Sequence, residues 1–564
     1  MGISREKIIK IIKDGWPIWL ILAAGFVVRW IGIYFDYPDT STFIWDESYN
    51  LGYLIDVIEQ KRIIVNPFSS PYPTFLPFLL VPTFIVRLLY LALQNGLNAI
   101  NEIKDFLVAG GIGQIYIIIR WYSVIFGTAA IYVIYKIYRM IFANKLSALS
   151  ASLVCVFSLL PVYLSHWGKT HIVMGFFVML SLYLALKFEE EKKLKYYYLS
   201  VLSAAFAFST HYIGVAAIIF PALAWWQNRR DVSLKTLVKS ALAYLAIAVC
   251  FYGANFYGFL YMITDIFKSY YSQNGGAIVP TGRWERFYYM FRDSFNIEPV
   301  FMGLFFLMIL AKFKALWQNR LIRYILAGLI FYYLLMTTII VGAHLSRWLL
   351  VFVLLAAPLG AALLVEFFHE KKAKTAVILI ILALLTIPNV IFTVHWLGIV
   401  NNYTSLKAGD WIINNLKREE IIYSFSEVFR LPFSYEAAVW NYDHNAKYKL
   451  QRKTKYIIDN PEKFKNLGYN LMYDNGGNRY NDLAGQKTKY VVITFSSTAE
   501  KNRPLDNLRK YHNLKLLKGF YFTDDQKILA EGIDNDYLNS PEKWTTLLKL
   551  KMGGPNVEIY EVIK

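Results

Sequence analysis

Cysteine is almost absent from this chain. Its 564 residues include only Cys155 and Cys250, which both lie in apolar runs, and the sequence after residue 400 has none. This scarcity excludes a disulfide framework and a cysteine-based metal site. The sequence also lacks internal repeats, low-complexity tracts and any His-x-x-x-His pair, the histidine spacing that would hold a metal on one helix.

Acidic residues are scarce too. There are 40 of them against 59 Lys and Arg, which gives a formal net charge of +19. The basic residues fall in short clusters between apolar segments, a distribution typical of the positive-inside bias rather than of nucleic-acid binding. Apolar runs of about 20 residues, the length that a bilayer requires, recur up to about residue 395. The sequence therefore predicts a polytopic α-helical membrane protein.

The basic clusters and the apolar runs together predict a topology. The first apolar run follows a basic N-terminus and lacks a cleavage site, so we predict a retained helix that leaves the cytoplasm. Later outside turns are predicted at residues 163–171, 209–212, 257–299 and 342–347. One apolar stretch, 72–93, would invert every later turn if it crossed once. It either lies at the interface or pairs with a weaker segment near 104–117, and the chain is expected to have about 11–13 transmembrane helices.

The character of the sequence changes near residue 400. We expect residues 1–400 to form the transmembrane domain and residues 401–564 to form a soluble α/β domain outside the cytoplasm. Residues 406–416 have helical periodicity, and residues 420–425, 490–495 and 557–562 have the composition of buried strands.

The first outside loop carries the most informative residues. Asp46, Glu47 and Ser48 begin a stretch whose apolar residues recur at helical spacing and which ends at Lys61-Arg62, as in an amphipathic helix on the membrane surface. The carboxylates can cap this helix and oppose its dipole. They can also meet a lipid carrier and activate an acceptor hydroxyl. The two roles are compatible, because a capped helix start holds a carboxylate rigidly.

Several motifs follow one another in a recognisable order. They are Asp46-Glu47 after the first helix, a Pro-rich segment at 71–77, an Arg-x-x-Ser-x-x-x-Gly pattern from Arg120 to Gly127, a turn from Ser165 to His171, Ser346-Arg347-Trp348, and the stretches 403–412 and 554–560. Together they resemble the GT-C glycosyltransferases of the protein O-mannosyltransferase and lipid A aminoarabinose transferase type. The resemblance covers nearly the whole chain and implies the GT-C fold.

The resemblance also implies a reaction. The residue matching Asp46, with Glu47 beside it, would be the catalytic base that activates an acceptor hydroxyl. The donor would be a sugar on an undecaprenyl or dolichyl phosphate carrier, and the configuration at the anomeric carbon would invert. Arg347 and Lys169 are the candidates for stabilising the departing phosphate. Each could instead be an interfacial anchor.

Three candidate substrate-binding residues depart from the family pattern. His171 stands where many relatives have an aspartate, Tyr72 where some have a lysine, and His211 where a lysine is frequent. The identity of the transferred sugar therefore cannot be inferred from the relatives. Arg283, in the loop 257–299, belongs either to a mobile lid or to an interfacial helix. No metal ligand set is predicted. A divalent metal stays possible, since His166, His171, His211 and His344 all fall on outside turns.

Two other classes of function remain open. In a transporter or lipid flippase, Asp46 would be a gating residue, although transporters usually carry charges at the bilayer midplane and repeated halves. In a scaffold protein, Asp46 would only cap a helix. The leading expectation is an inverting polyprenyl-phosphate-sugar-dependent glycosyltransferase in the cytoplasmic (inner) membrane. Its partners would be the lipid carrier and an extracytoplasmic protein, lipid or glycan acceptor, with no nucleic acid.

Overall fold

The structure of the protein is a computed structural model. It describes residues 5–34, 50, 52–54, 57, 61–64, 72–97, 100–106, 113–256, 260, 264, 283–338, 346–425, 431–444, 452–464, 468–473, 488–531 and 544–563. Asp46, Glu47, Ser48 and His344, which the sequence singled out, lie outside these residues. Residues 50, 52–54 and 57, which belong to the predicted surface helix, are helical.

Long apolar helices make up the part before residue 400. In chain order they are α1 (Arg5–Trp30), α2 (Phe75–Gln94), α3 (Ile100–Phe106), α4 (Gly113–Ile141), α5 (Lys145–Phe157), α6 (Leu159–Ser165), α7 (Thr170–Glu191), α8 (Leu194–Thr210), a 3-10 helix (Tyr212–Ile218), α9 (Ile219–Gln227), α10 (Leu234–Gly253), α11 (Arg283–Ile297), α12 (Pro299–Gln318), α13 (Arg320–Thr338), a second 3-10 helix (Ser346–Leu349), α14 (Leu350–Glu370) and α15 (Thr375–Val400).

Among the described residues, 8 helices are long and apolar enough to cross a membrane, or up to 9 if the bent pair α5–α6 is one span. Two shorter apolar helices, Gly15–Trp30 and Tyr212–Gln227, accompany them. The 8 include α2, which is discussed below, and the predicted number of 11–13 crossings stays a prediction. The prediction of a polytopic helical membrane protein is confirmed.

Burial differs strongly between these helices. In α14, 94% of the apolar window is buried inside the protein, whereas in α10 the value is 17%. A helix that is apolar all round belongs either inside a bundle or against lipid. Helix α14 therefore lies at the centre of the bundle, and α10 lies at its periphery. Gly360 lets α14 approach α12 closely, because a Cβ there would lie 2.7 Å from the carbonyl oxygen of Phe301.

Several separate segments meet at one end of the bundle, which we call the domain end. A Cβ on Gly32, just after α1, would lie 2.6 Å from Val400, where α15 ends. The C-terminal α/β domain follows α15 directly and is attached there, since Thr404 donates its hydroxyl proton to the carbonyl of Pro555 at 2.6 Å. The end of α1 and the C-terminal domain therefore lie on the same side.

The flanks of α2 answer a question that the sequence left open. Before α2, Thr74 donates to the carbonyl of Phe251 at the domain end of α10. After α2, Asp105 accepts hydrogen bonds from Tyr456 at 2.6 Å and from Lys463 at 2.5 Å, both in the C-terminal domain. The segment 95–104, between α2 and Asp105, is too short to recross about 30 Å of hydrocarbon, because its second half is helical and rises only about 1.5 Å per residue. Both flanks lie at the domain end, which favours the interfacial alternative.

The C-terminal domain contains a mixed five-stranded sheet with the order β2-β1-β3-β5-β4. Its elements are α16 (Thr404–Asn415), β1 (Ile421–Ser424), α17 (Tyr435–His444), α18 (Arg452–Asp459), α19 (Pro461–Phe464), β2 (Leu471–Tyr473), β3 (Thr488–Phe495), α20 (Thr498–Arg509), β4 (Asn513–Phe520), α21 (Gln526–Glu531), α22 (Trp544–Leu547) and β5 (Asn556–Ile563). Strand β1 pairs in parallel with β2 and β3, and β5 pairs antiparallel with β3 and β4.

The predicted helix at 406–416 and the three predicted strands match α16, β1, β3 and β5, so the α/β class is confirmed. Strands β2 and β4 were not predicted. Strand β2 has only three residues, and β4 is a largely exposed edge strand that carries Lys515 and Lys518. Exposed lysines are common on edge strands because they discourage pairing with other chains, and they remove the apolar alternation that marks a strand in sequence.

Candidate active site

The Arg-x-x-Ser-x-x-x-Gly motif builds the frame of the site. Arg120 donates to the carbonyl of Ile33, just past α1, at 2.8 Å. One turn later, Ser123 donates to the carbonyl of Trp167 at 2.8 Å. After another turn, Gly127 leaves room for Ser165, whose Oγ would lie 2.5 Å from a Cβ at this position. The motif therefore joins the end of α1 to the turn between α6 and α7.

That turn holds Lys169 in an unusual place. Lys169 precedes the first residue of α7 as its N-cap, and only 3% of it is exposed. Its ammonium lies 5.2 Å from the ring centre of the buried Trp167. A cation at a helix N-terminus is repelled by the positive end of the helix dipole, and a buried charge is costly in a membrane protein. Such a position does little for stability and is typical of a site for an anion.

Two histidines lie beside Lys169. His171 is in the first turn of α7 and His211 follows α8, and their ring centres are 4.5 Å apart. His171 is buried, and among the described atoms neither of its ring nitrogens has a hydrogen-bond partner. The charges of His211, Arg347 and Lys169 all act on His171. One residue from each of three predicted outside turns, namely Lys169, His211 and Arg347, therefore lies near this imidazole.

Arg347 reaches the cluster from the 3-10 helix Ser346–Leu349, where it is half-buried. Tyr332 fixes this helix by donating a hydrogen bond to the carbonyl of Trp348. Helix α11 packs against the same 3-10 helix and is held by a hydrogen bond from Tyr333 to the carbonyl of Phe287. Arg283 is the first residue of α11, so the second half of the predicted loop 257–299 is a helix. The role of the Arg283 side chain stays a prediction.

Tyr72 completes the described cluster. Its ring centre lies 5.3 Å from that of His211, and its carbonyl accepts a hydrogen bond from Asn255 at 3.1 Å. The structure thus brings together five sequence-predicted residues, namely Lys169, Arg347, Tyr72, His171 and His211.

The sequence interpretation missed several residues that hold this cluster. Asn50 donates to the carbonyl of Gly168 at 3.3 Å, which fixes the chain after Asp46 and Glu47 next to Lys169. Asn255 orients Tyr72, and Tyr212 packs on His211 with ring centres 4.3 Å apart. In the sequence, the one feature that could have identified Asn50 is its position at the end of the polar run that starts at Asp46.

His166 does not join the other histidines. One of its ring nitrogens lies 2.6 Å from the carbonyl oxygen of Ile31 and the other 2.8 Å from that of Val162. Within the described ranges, no group of three His, Cys, Asp or Glu side chains is arranged to hold a metal ion.

Gly127 offers a test of the frame. In Gly127→Ala, the new Cβ would meet Ser165 Oγ at 2.5 Å and Arg29 Nε at 3.0 Å. Overpacking of this kind costs about 1–3 kcal/mol, and we expect a lower thermal unfolding temperature in detergent. Gly398→Ala is the matched control, because it meets no atom within 4 Å and should gain up to about 1 kcal/mol of helix propensity. Equal unfolding temperatures for the two variants would contradict the close packing.

Comparison with known proteins found one family match. Residues 112–254 match the model of the family described as dolichyl-phosphate-mannose-protein mannosyltransferase. The segment includes the frame residues and Lys169, His171 and His211. The resemblance to protein mannosyltransferases, predicted from the motifs, is confirmed for this part of the chain. A search of the curated proteins found no match.

Two solved structures are similar to the chain. The crystal structure of ArnT from Cupriavidus metallidurans in the apo state is 11% identical, with 90% of this chain and 96% of that chain covered and a TM-score of 0.49. For the same protein bound to undecaprenyl phosphate, the identity is 11%, the covered shares are 89% and 96%, and the TM-score is 0.46. Both TM-scores are below 0.5, and no residue correspondence follows from them.

Proposed function

We propose that this protein is an inverting glycosyltransferase that moves a monosaccharide from a polyprenyl phosphate carrier to an extracytoplasmic hydroxyl. The observation that carries the proposal is the convergence of Lys169, Arg347, His171 and His211 at the domain end. Two permanent cations and two imidazoles suit a phosphate ester better than a neutral ligand. The description of the matched family, which names a dolichyl-phosphate sugar, supports the same donor class.

Asp46 is the proposed base. Four residues of chain span at most about 14 Å, so Asp46 lies within that distance of Asn50, which binds the carbonyl next to Lys169. A carboxylate near the two cations would accept the proton of the acceptor hydroxyl, while the cations would stabilise the departing phosphate. Glu47 is the second carboxylate within the same reach.

The proposed step is a single displacement. The carboxylate of Asp46 accepts the proton of the acceptor hydroxyl as its oxygen attacks the anomeric carbon. The bond from this carbon to the phosphate oxygen breaks, and polyprenyl phosphate leaves with the bonding electrons. Lys169 and Arg347 stabilise the charge that develops on the phosphate. Attack opposite to the leaving group inverts the anomeric configuration.

The position of these charges bears on the transporter alternative. Lys169, His211 and Arg347 lie at helix termini at the domain end, not in the middle of the spanning helices. Transporters usually keep their functional charges near the midplane. We accordingly propose residues 1–400 as the catalytic membrane domain, with the site and residues 401–564 on the extracytoplasmic side of the inner membrane.

A reconstituted reaction tests the function. Purified protein in liposomes receives radiolabelled polyprenyl phosphates that carry different sugars, together with acceptor fractions of protein, lipid and glycan. We expect one donor to be consumed, with free polyprenyl phosphate formed in proportion to labelled acceptor. A monosaccharide linked through a diphosphate is the control and should not react. Consumption of no monophosphate donor in the presence of every acceptor fraction would overturn the proposal.

A further inference from the structure

A second cationic site lies at the opposite end of the membrane domain. A cleft of about 690 Å³ is lined by Arg229, Arg230, Arg320 and Arg323, with Trp226 and Trp317 in its walls. We call it the arginine cleft. Helix α7 connects the two ends: it starts beside Lys169, and Glu189 near its other end pairs with Arg320 at 2.7 Å. At 1.5 Å per residue, the cleft is about 30 Å from the candidate active site.

Two carboxylates lie at the cleft: Asp231 is part of its lining, and Glu189 is engaged in the wall behind Arg320. Besides Arg320, Glu189 binds Lys192 at 3.0 Å, Asn228 at 2.6 Å and Tyr324 at 2.5 Å. This network ties α7, α9 and α13 together and fixes Arg320 in the wall.

Asp231 offsets one of the arginine charges of the lining, and the cleft stays cationic. Within the described part of the chain, no carboxylate lies at ion-pair distance from Arg229, Arg230 or Arg323. The Nε of Arg323 is buried and has no hydrogen-bond partner among the described atoms. A guanidinium held in this way presents donors in the fork geometry that suits phosphate oxygens.

The walls of the cleft suit the apolar part of a lipid. Trp226 is 59% exposed and Trp317 is 41% exposed, and Arg229 lies 4.6 Å from the ring centre of Trp226. Tryptophan at the end of spanning helices is typical of the membrane–water interface. The cleft lies between α9, α12 and α13, whose apolar sides continue into the hydrocarbon region. Basic pockets between transmembrane helices are known to bind lipid head groups.

The positive-inside bias alone does not account for this arrangement. It requires basic residues at one end of the helices but does not require them to line a cavity. Lys371 and Lys374, in the turn between α14 and α15, satisfy it as exposed side chains. The arginines of the cleft instead line one shared volume, whose size is within the range of ligand pockets.

We propose that the arginine cleft binds the phosphate of an anionic membrane phospholipid, whose acyl chains lie along the apolar surfaces of α9 and α13. The phosphate oxygens accept hydrogen bonds from Arg229, Arg230 and Arg323, and the single negative charge reduces the repulsion between these arginines, which strengthens the junction of α7, α9 and α13. This lipid is separate from the sugar donor, which binds at the other end of the molecule.

Native mass spectrometry of detergent-purified protein, titrated with phosphatidylglycerol or phosphatidylcholine, tests the site. We expect the wild type to prefer phosphatidylglycerol. The double variant Arg229→Gln/Arg323→Gln should bind it at least tenfold more weakly, since each basic residue near a membrane surface contributes roughly a factor of five. Arg320 is left intact because its loss would leave Glu189 buried without part of its network.

The control Lys371→Gln/Lys374→Gln removes two charges from the same end of the protein but none from the cleft. It should bind phosphatidylglycerol within twofold of the wild type. The proposal would be overturned if both variants bound phosphatidylglycerol equally weakly. It would also be overturned if the cleft variant, with unchanged gel-filtration behaviour, bound phosphatidylglycerol as tightly as the wild type. Displacement of phosphatidylglycerol by millimolar inorganic phosphate would assign the cleft to free phosphate and overturn the assignment to a lipid.

Discussion

An Asp46→Asn protein is expected to lose sugar transfer by about 10²- to 10⁴-fold, the range that a general base contributes. Asparagine has nearly the same size and shape as aspartate but cannot accept the acceptor's proton. It also caps a helix as well as aspartate does, so the variant separates the two roles of Asp46. The rate is measured as labelled product per unit time, with the proposed donor in liposomes.

Donor binding should survive in Asp46→Asn, because the phosphate is assigned to Lys169 and Arg347. Glu47→Gln is the neighbouring control and removes the second carboxylate at the start of the predicted surface helix. Full transfer by Asp46→Asn would rule out a catalytic role and leave Asp46 as a cap. If Glu47→Gln is the inactive variant instead, the base is Glu47.

Arg347→Gln is expected to lower kcat by about 10²- to 10³-fold, the effect of removing one donor to a developing charge. The loss should appear mainly in kcat, because the phosphate gains charge only as the glycosidic bond breaks. An equal interaction with the bound donor and the transition state would raise KM alone. Steady-state kinetics over a range of donor concentrations separates the two cases.

Arg347→Lys should recover part of the rate, since a lysine keeps the charge but not the bidentate geometry. Lys169→Gln combined with Arg347→Gln should cost less than the sum of the single effects if both cations act on one phosphate. Lys407→Gln removes an exposed cation from the start of the C-terminal domain and should keep normal kinetics. A normal kcat in Arg347→Gln would remove Arg347 from the site.

Local patterns predicted a large part of the fold. Apolar runs gave the spanning helices, and alternating or continuous apolar residues gave β1, β3 and β5, because hydropathy over a short window reflects which side chains avoid water. The same rule failed for β4, whose side chains are mostly exposed and whose pairing is irregular between Leu516 and Lys518. It also left open whether α2 crosses the bilayer, because composition shows that a helix is able to cross but not that it does.

The candidate site was predicted in its members but not in its arrangement. Basic and aromatic residues on turns marked Lys169, His171, His211, Arg347 and Tyr72. Their mutual contacts follow from how α7, α8, α10 and the 3-10 helix Ser346–Leu349 pack. The frame motif shows the difference well: Arg120, Ser123 and Gly127 were noticed as a pattern, and only their partners reveal that they join α1 to the turn of Lys169.

The sequence by itself determined the class of molecule: a helical membrane protein with a C-terminal α/β domain, cationic residues on its turns, and an acidic pair after the first helix. These properties are local, since each depends on residues within one or two turns of helix. The tertiary structure alone decided which turns meet at the domain end, which arginines converge at the opposite end, and which elements flank α2. Those contacts join residues far apart in the chain, and they depend on the packing of whole helices, which no short window of sequence contains.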